Sequence, residues 1–230
     1  MPNQENSKVS SNSPRVFVWD IYVRLFHWTL VALIVALFLT AEVFDGGIEL
    51  HATLGRAILA LVLFRVVWGV VGSSYARFSQ FVQGPRWVLA YTMSLFSNKY
   101  EYSVGHNPLG GWMVIVLLAV VSIQAVLGMF ANDDILFDGP FAYLISKDSS
   151  DYITGLHADL FLIIMVLVGL HVAAVIWHKV FKGENLLAAM FSGYKKLPPE
   201  IQAENASGGG HSLAVILLLI SVIVVYFFTQ

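Results

Sequence analysis

Seven histidines carry most of the chemistry this chain could perform: His27, His51, His106, His157, His171, His178 and His211. There is no cysteine, which removes disulfides, thiolate metal sites, iron–sulfur clusters and covalent haem attachment. Imidazole is then the natural axial ligand for a haem iron. His157 and His171 stand 14 residues apart in an unbroken apolar stretch. On a helix that spacing returns to within about 40° of the same face after a rise of about 21 Å. One helix face thus offers two imidazoles at opposite depths, the arrangement for two stacked haems. Two ligands of one mononuclear metal would instead stand three or four residues apart.

The opposing ligands must come from other helices. His27 lies near the start of the first apolar stretch and His51 at the start of the second. His51 with His157 is expected to clamp an outer haem, and His27 with His171 an inner one. His178, two turns beyond His171 on nearly the same face, is the alternative inner ligand. Arg65 follows His51 by 14 residues, so it faces the same way at the depth of the inner haem. A buried guanidinium needs an anionic partner, and a haem propionate fits its fork; snorkelling to the interface is the competing role. Arg56 could serve the outer haem in the same way. His106, in GHNPLGG, reads as packing at a helix start, and His211 as solvated.

The elements that must position these residues are membrane helices. The chain of 230 residues is 57% hydrophobic and 12% charged, against roughly 25% charged in soluble domains. Five apolar runs are long enough to span the hydrocarbon core: Leu25 to Ala41, Ala52 to Val71, Leu109 to Phe130, Leu156 to Phe181 and Leu213 to Phe228. The first is not a cleavable signal by its length and polar lead. Lys8, Arg15, Arg24, Arg77, Arg86, Lys99, Lys179, Lys182, Lys195 and Lys196 fall on one side, and only Lys147 in the opposite loops. The positive-inside rule predicts a cytoplasmic N-terminus and a periplasmic C-terminus in a bacterial inner membrane. The fold class expected is all-α: a four-helix di-haem core over residues 15–197 plus a fifth transmembrane helix at 213–230. Residues 1–14 read as disordered, 84–96 as an interfacial segment, and 198–212 as a flexible linker.

With these residues in view, the chain resembles the bacterial di-haem cytochromes b of the cytochrome b561 type, which include the b-type subunits of nickel–iron hydrogenases. The resemblance rests on VWDIYVRLFHWTL, LHATLGR, FRVVWGVVGSSYARF, GHNPLGG, GLHADLFLIIMVLVGLHVAAVIWH and ENLLAAMFSGYKK, spanning about Val16 to Lys196. It implies two non-covalent b haems ligated by His27, His51, His157 and His171, with no ligand from the third helix. It also implies electron transfer between the quinone pool and a redox partner. The fifth helix departs from the family's four.

The function expected is transmembrane electron transfer between quinone or quinol and an extracytoplasmic partner such as a c-type cytochrome, within a lipid bilayer and with no nucleic acid. The alternatives are a self-contained oxidoreductase, such as a superoxide:quinone oxidoreductase, and a proton-coupled transporter. A transporter would show repeats and broken helices; a desaturase-like enzyme would need His-x-x-His-His clusters. Neither pattern occurs in the sequence. The outward loops hold Glu42, Asp45, Glu49, Asp133, Asp134, Asp138, Asp148 and Asp151, a negative field that would steer a basic partner.

Overall fold

The computed structural model describes residues 14–44, 47–95, 102–135 and 137–229. Lys8, Asp45, Lys99 and all but the last residue of the segment read as disordered lie outside the described residues. Five helices are long and apolar enough to cross a membrane: α1 (Ile21–Glu42), α2 (Ile48–Val71), α5 (Pro108–Phe130), α6 (Lys147–Phe181) and α8 (His211–Phe228). Between them lie three shorter helices, α3 (Phe78–Phe81), α4 (Pro85–Leu95) and α7 (Leu186–Ser192). The membrane-bundle fold expected from the sequence is the fold observed.

Each helix start carries a local cause. Asp20 caps α1 by accepting the N–H groups of Tyr22 and Val23, both at 2.8 Å. Asn107 accepts from Gly110 N at 2.7 Å and Pro108 follows as the first residue of α5, where its missing N–H costs nothing. Ser146 caps α6. That helix starts nine residues before the apolar run at Leu156, because Lys147, Asp148 and Asp151 are helical without being apolar. Its 35 residues reach about 52 Å, well past a hydrocarbon core of about 30 Å.

α2 is the central helix, packing against α1, α5 and α8. α6 packs most extensively along α5 and α7, while Phe161 stacks on Phe38 of α1 at 5.8 Å and Ile164 packs with Ile58 and Val62 of α2, the helices whose histidines face its own. At mid-depth Ile58, Val62, Val121, Ala125 and Ile164 form a small apolar core. The amphipathic α4 turns Tyr91 inward and leaves Trp87, Leu89 and Met93 exposed, as an interfacial helix does.

A second core lies at the end of the bundle where the basic residues cluster. There β1 (Arg15–Phe17) pairs antiparallel with β2 (Tyr194–Lys196), Val16 opposite Lys195. Val16, Val18, Trp19, Phe64, Trp68, Ala189, Leu197 and Ala214 are buried together beside this ribbon. Segment 198–212, expected to be a flexible linker, is instead tied down. Ala206 N donates to Phe17 O at 2.6 Å, Ser74 N to Ser207 O at 2.8 Å, and Tyr75 Oη to Glu204 O at 2.9 Å. Its glycines explain the misreading. Gly208 and Gly209 have φ of 80° and 62°, and a Cβ on Gly209 would meet Ser73 N at 2.6 Å. Gly209 serves a close approach and Gly208 a positive φ, and both are held by the fold. The fifth helix is likewise integrated: α8 lays Ala214, Ser221 and Val225 into buried contact as it packs on α2.

Candidate functional site

The 14-residue spacing within α6 has a counterpart in space. The rings of His51 and His157 have centroids 6.1 Å apart, at 79° to each other. Those of His27 and His171 lie 6.4 Å apart, at 52°. Two imidazoles bound to opposite sides of one metal ion, with bonds of about 2.0 Å, place their centroids about 6 Å apart. Four sequence-predicted residues therefore meet as two facing pairs, one toward each end of the bundle. His178 does not join His27. It is buried beside Trp177, with Nε2 3.4 Å from Asn107 Nδ2.

The outer pair has its tautomers set by the backbone. His51 Nδ1 donates to Leu37 O at 3.1 Å, and His157 Nδ1 to Gln124 O at 3.0 Å. Each Nε2 is left as the lone-pair donor, because a carbonyl that accepts from Nδ1 fixes the tautomer that can bind a metal. Gln124 Nε2 also donates to His157 O at 2.8 Å, so α5 orients a ligand without supplying one. A Cβ on Gly128 would meet His157 Cε1 at 3.1 Å, so glycine there lets the ring sit close against α5. The pair opens on a cavity of about 860 Å³ lined by Ile34, Phe38, Gly55, Arg56, Phe161 and Thr229 among others. A Cβ at Gly55 would find nothing within 4 Å, so the wall there is open for a flat ligand face. Donor set, spacing and cavity all fit a b haem.

Arg56 lines this cavity, where Nη1 donates to Thr229 O at 3.4 Å and Nη2 to Thr53 Oγ1 at 3.2 Å. The C-terminal end of α8 thus reaches the outer site, which the sequence reading did not foresee. Arg65 is 2% exposed and does not snorkel. Its guanidinium sits 5.9 Å from the Phe26 ring and 5.1 Å from that of Phe78, donating from Nη2 to Ala76 O at 3.3 Å. Nη1 is buried without a partner. His27 Nδ1 and Trp28 Nε1 are orphaned likewise, and Trp28 stacks on Phe191 of α7 at 4.3 Å.

Three residues escaped the sequence reading. Asp20 Oδ2 accepts from Trp68 Nε1 at 3.1 Å and from Ser73 Oγ at 2.5 Å, locking α1 to α2 one helical stretch below His27. An acid just before an apolar run is a cap signal; its second face is invisible locally. Glu184 pairs with Lys195 at 3.0 Å, their side chains 3% and 5% exposed. Burial pulls the Lys195 ammonium below its ordinary pKa and Glu184 pushes it back up. Gln124, a lone amide in an apolar helix, was the one signal open to a sequence reader.

A helical membrane bundle holding two facing histidine pairs, one above the other along a shared helix, is the build of a transmembrane b-type cytochrome. The family model for prokaryotic cytochrome b561 matches residues 18–193, and the chain belongs to that family, whose members carry b haem and transfer electrons in the membrane. No curated protein and no solved structure matches the chain. β1, the tied segment and α8 extend outside the matched residues.

Proposed function

We propose that the chain binds two b haems, an outer one between His51 and His157 and an inner one between His27 and His171, and passes electrons through the bilayer between the quinone pool and an extracytoplasmic partner such as a c-type cytochrome. The observation that carries this reading is the pair of imidazole separations, 6.1 and 6.4 Å, with one ligand of each pair on α6, which sets the two at different depths. When bound, the haems supply one-electron carriers; everything else falls to the polypeptide. His51 and His157 present Nε2 because Leu37 and Gln124 carbonyls hold their other nitrogens. Arg65, with an uncommitted Nη1, suits a propionate of the inner haem, and Arg56 at the cavity wall one of the outer. The basic flank of the chain supports a cytoplasmic N-terminus and a periplasmic C-terminus.

The test is haem content with ligand variants. A pyridine haemochrome assay should give two b haems per chain. His51→Ala and His157→Ala should each remove the same haem, and His27→Ala and His171→Ala the other, while His178→Ala keeps both. One haem or none in the unaltered protein refutes the reading. Loss of the inner haem in His178→Ala but not in His171→Ala refutes the register.

A further inference from the structure

The two halves of the bundle differ in the polar groups left over. In the inner half Arg65 Nη1 is buried without a partner, and so are His106 Nδ1, Arg24 Nε and Arg77 Nε. His106 is fixed in place: its ring lies between Trp19, at 4.5 Å, and Phe81, at 4.4 Å. Capping of α5 is done by Asn107 and Pro108, so the His106 imidazole is not spent on the helix start. Phe81 in turn meets the Phe78 ring edge-on at 5.8 Å, and the Arg65 guanidinium lies 5.1 Å from the Phe78 ring, so His106 and Arg65 border one aromatic cluster. Burial, with Arg65 and Lys195 nearby, drives the His106 pKa down to about 3, which keeps the ring neutral at physiological pH.

The carboxylates nearby are committed elsewhere. Asp20 accepts from two backbone amides, an indole and a hydroxyl. Glu184 is paired with Lys195. Arg65 has no carboxylate within 4.0 Å among the described residues.

The outer half is the reverse. Its cavity is lined by Glu42, Asp133 and Asp138 against Arg56, whose Nη1 is turned to the carbonyl end of α8, the negative pole of that helix. The buried orphan there is an acceptor, Gln124 Oε1.

A ferric haem carries one more positive charge than a ferrous one. Nearby cations and hydrogen-bond donors therefore favour the ferrous state, and carboxylates the ferric state. We infer that Arg65 and His106 form a shared donor seat for a propionate of the inner haem, and that this seat makes the inner haem the higher-potential member of the pair, so that in a singly reduced chain the electron resides on the inner haem. This rests on the two-haem reading proposed above. It gives His106 a positioning role toward the cofactor.

The experiment is a potentiometric titration of the full chain in detergent, with haem content measured on the same samples. The unaltered protein should titrate as two one-electron components. His171→Ala should lose the higher component and His157→Ala the lower. Arg65→Gln and His106→Phe should each shift only the higher component downward, by about tenfold in its reduction equilibrium, or about 59 mV for a one-electron couple. Phenylalanine keeps the ring contacts with Trp19 and Phe81, so a packing role alone would leave the potential in place. His106→Asn, which restores a donor, should recover most of the shift. The inference is overturned if the higher component is the one lost in His157→Ala. It is equally overturned if both haems are retained and neither Arg65→Gln nor His106→Phe moves a potential. A haem count below two would instead strike the underlying two-haem reading.

Discussion

Asp20 is the residue whose replacement should reveal most about how the inner site is held. In Asp20→Asn the remaining amide oxygen can still cap Tyr22 and Val23, since asparagine is as good a cap as aspartate. The new amide nitrogen then faces Trp68 Nε1 and Ser73 Oγ. The Ser73 hydroxyl can turn and accept; the indole can only donate. Trp68 is 0% exposed, so its N–H is stranded away from any replacement, at a cost of about 1–3 kcal/mol. Asp20→Ala adds the lost cap, about 1 kcal/mol, and the stranded serine, for a total of roughly 3–5 kcal/mol. At about 2–4 °C per kcal/mol for a chain of this size, Asn should lower Tm by about 4–8 °C and Ala by roughly twice that. The assay is thermal loss of low-spin haem absorbance in detergent, resolved by haem. Because α1 carries His27 two turns beyond its cap, the inner haem should go first. Trp68→Phe removes the donor that Asn strands, so Asp20→Asn with Trp68→Phe should be milder than the sum of the two single changes. The reasoning is refuted if Asn melts with the unaltered protein, if Asn and Ala coincide, or if Trp68→Phe gives no relief.

Other expectations concern the Lys195–Glu184 pair and the acidic loops at the opposite end of the bundle. Lys195→Ala should destabilise the end of the bundle beside the β1–β2 ribbon by about 3–5 kcal/mol, because it leaves the Glu184 side chain buried without this ammonium, whereas Lys195→Met with Glu184→Leu should recover most of that loss; Tm by haem absorbance reads both. Electron transfer to a basic c-type cytochrome in stopped flow should slow steeply as salt shrinks the Debye length from about 30 Å at 0.01 M to about 8 Å at 0.15 M. Lys147 already pairs with Asp134 and Asp151, and Asp133 accepts from Ile135 and Phe137 N–H groups. Asp138→Asn with Asp148→Asn should therefore flatten that salt dependence, and a rate indifferent to salt would remove the docking role from these loops.

The histidine pairs were legible because periodicity on a single helix does most of the work. Once α6 places His157 and His171 on one face, His51 and His27 are the histidines expected level with them, and His178 stayed open as the inner ligand until its ring was found beside Trp177 and Asn107. The direction of Arg65 followed from the same count of 14. What stayed hidden depends on residues remote in sequence. The second face of Asp20 needs Trp68 and Ser73, and the roles of Gly208 and Gly209 need the backbone of Gly72 and Ser73. Composition at 198–212 is that of a solvated linker, and only the tertiary hydrogen bonds make it a strap. Helix α6 was read short because hydropathy records apolar side chains, whereas helix formation also accepts Lys147, Asp148 and Asp151.

The pairing of β1 with β2 has a consequence for the order in which the molecule can be made. Phe17 N donates to Asn205 Oδ1 across 188 residues of sequence, and β1 can pair only with a strand that follows the sixth helix. During synthesis the N-terminal segment must wait, unpaired, while α1, α2, α5 and α6 are inserted. All four histidines are in the membrane before the ribbon closes and before α8 settles against α2. The end of the bundle that carries the ribbon is thus the last part to be sealed, and the interval before sealing is when the space between α1 and α6 is most accessible to a cofactor arriving from that end.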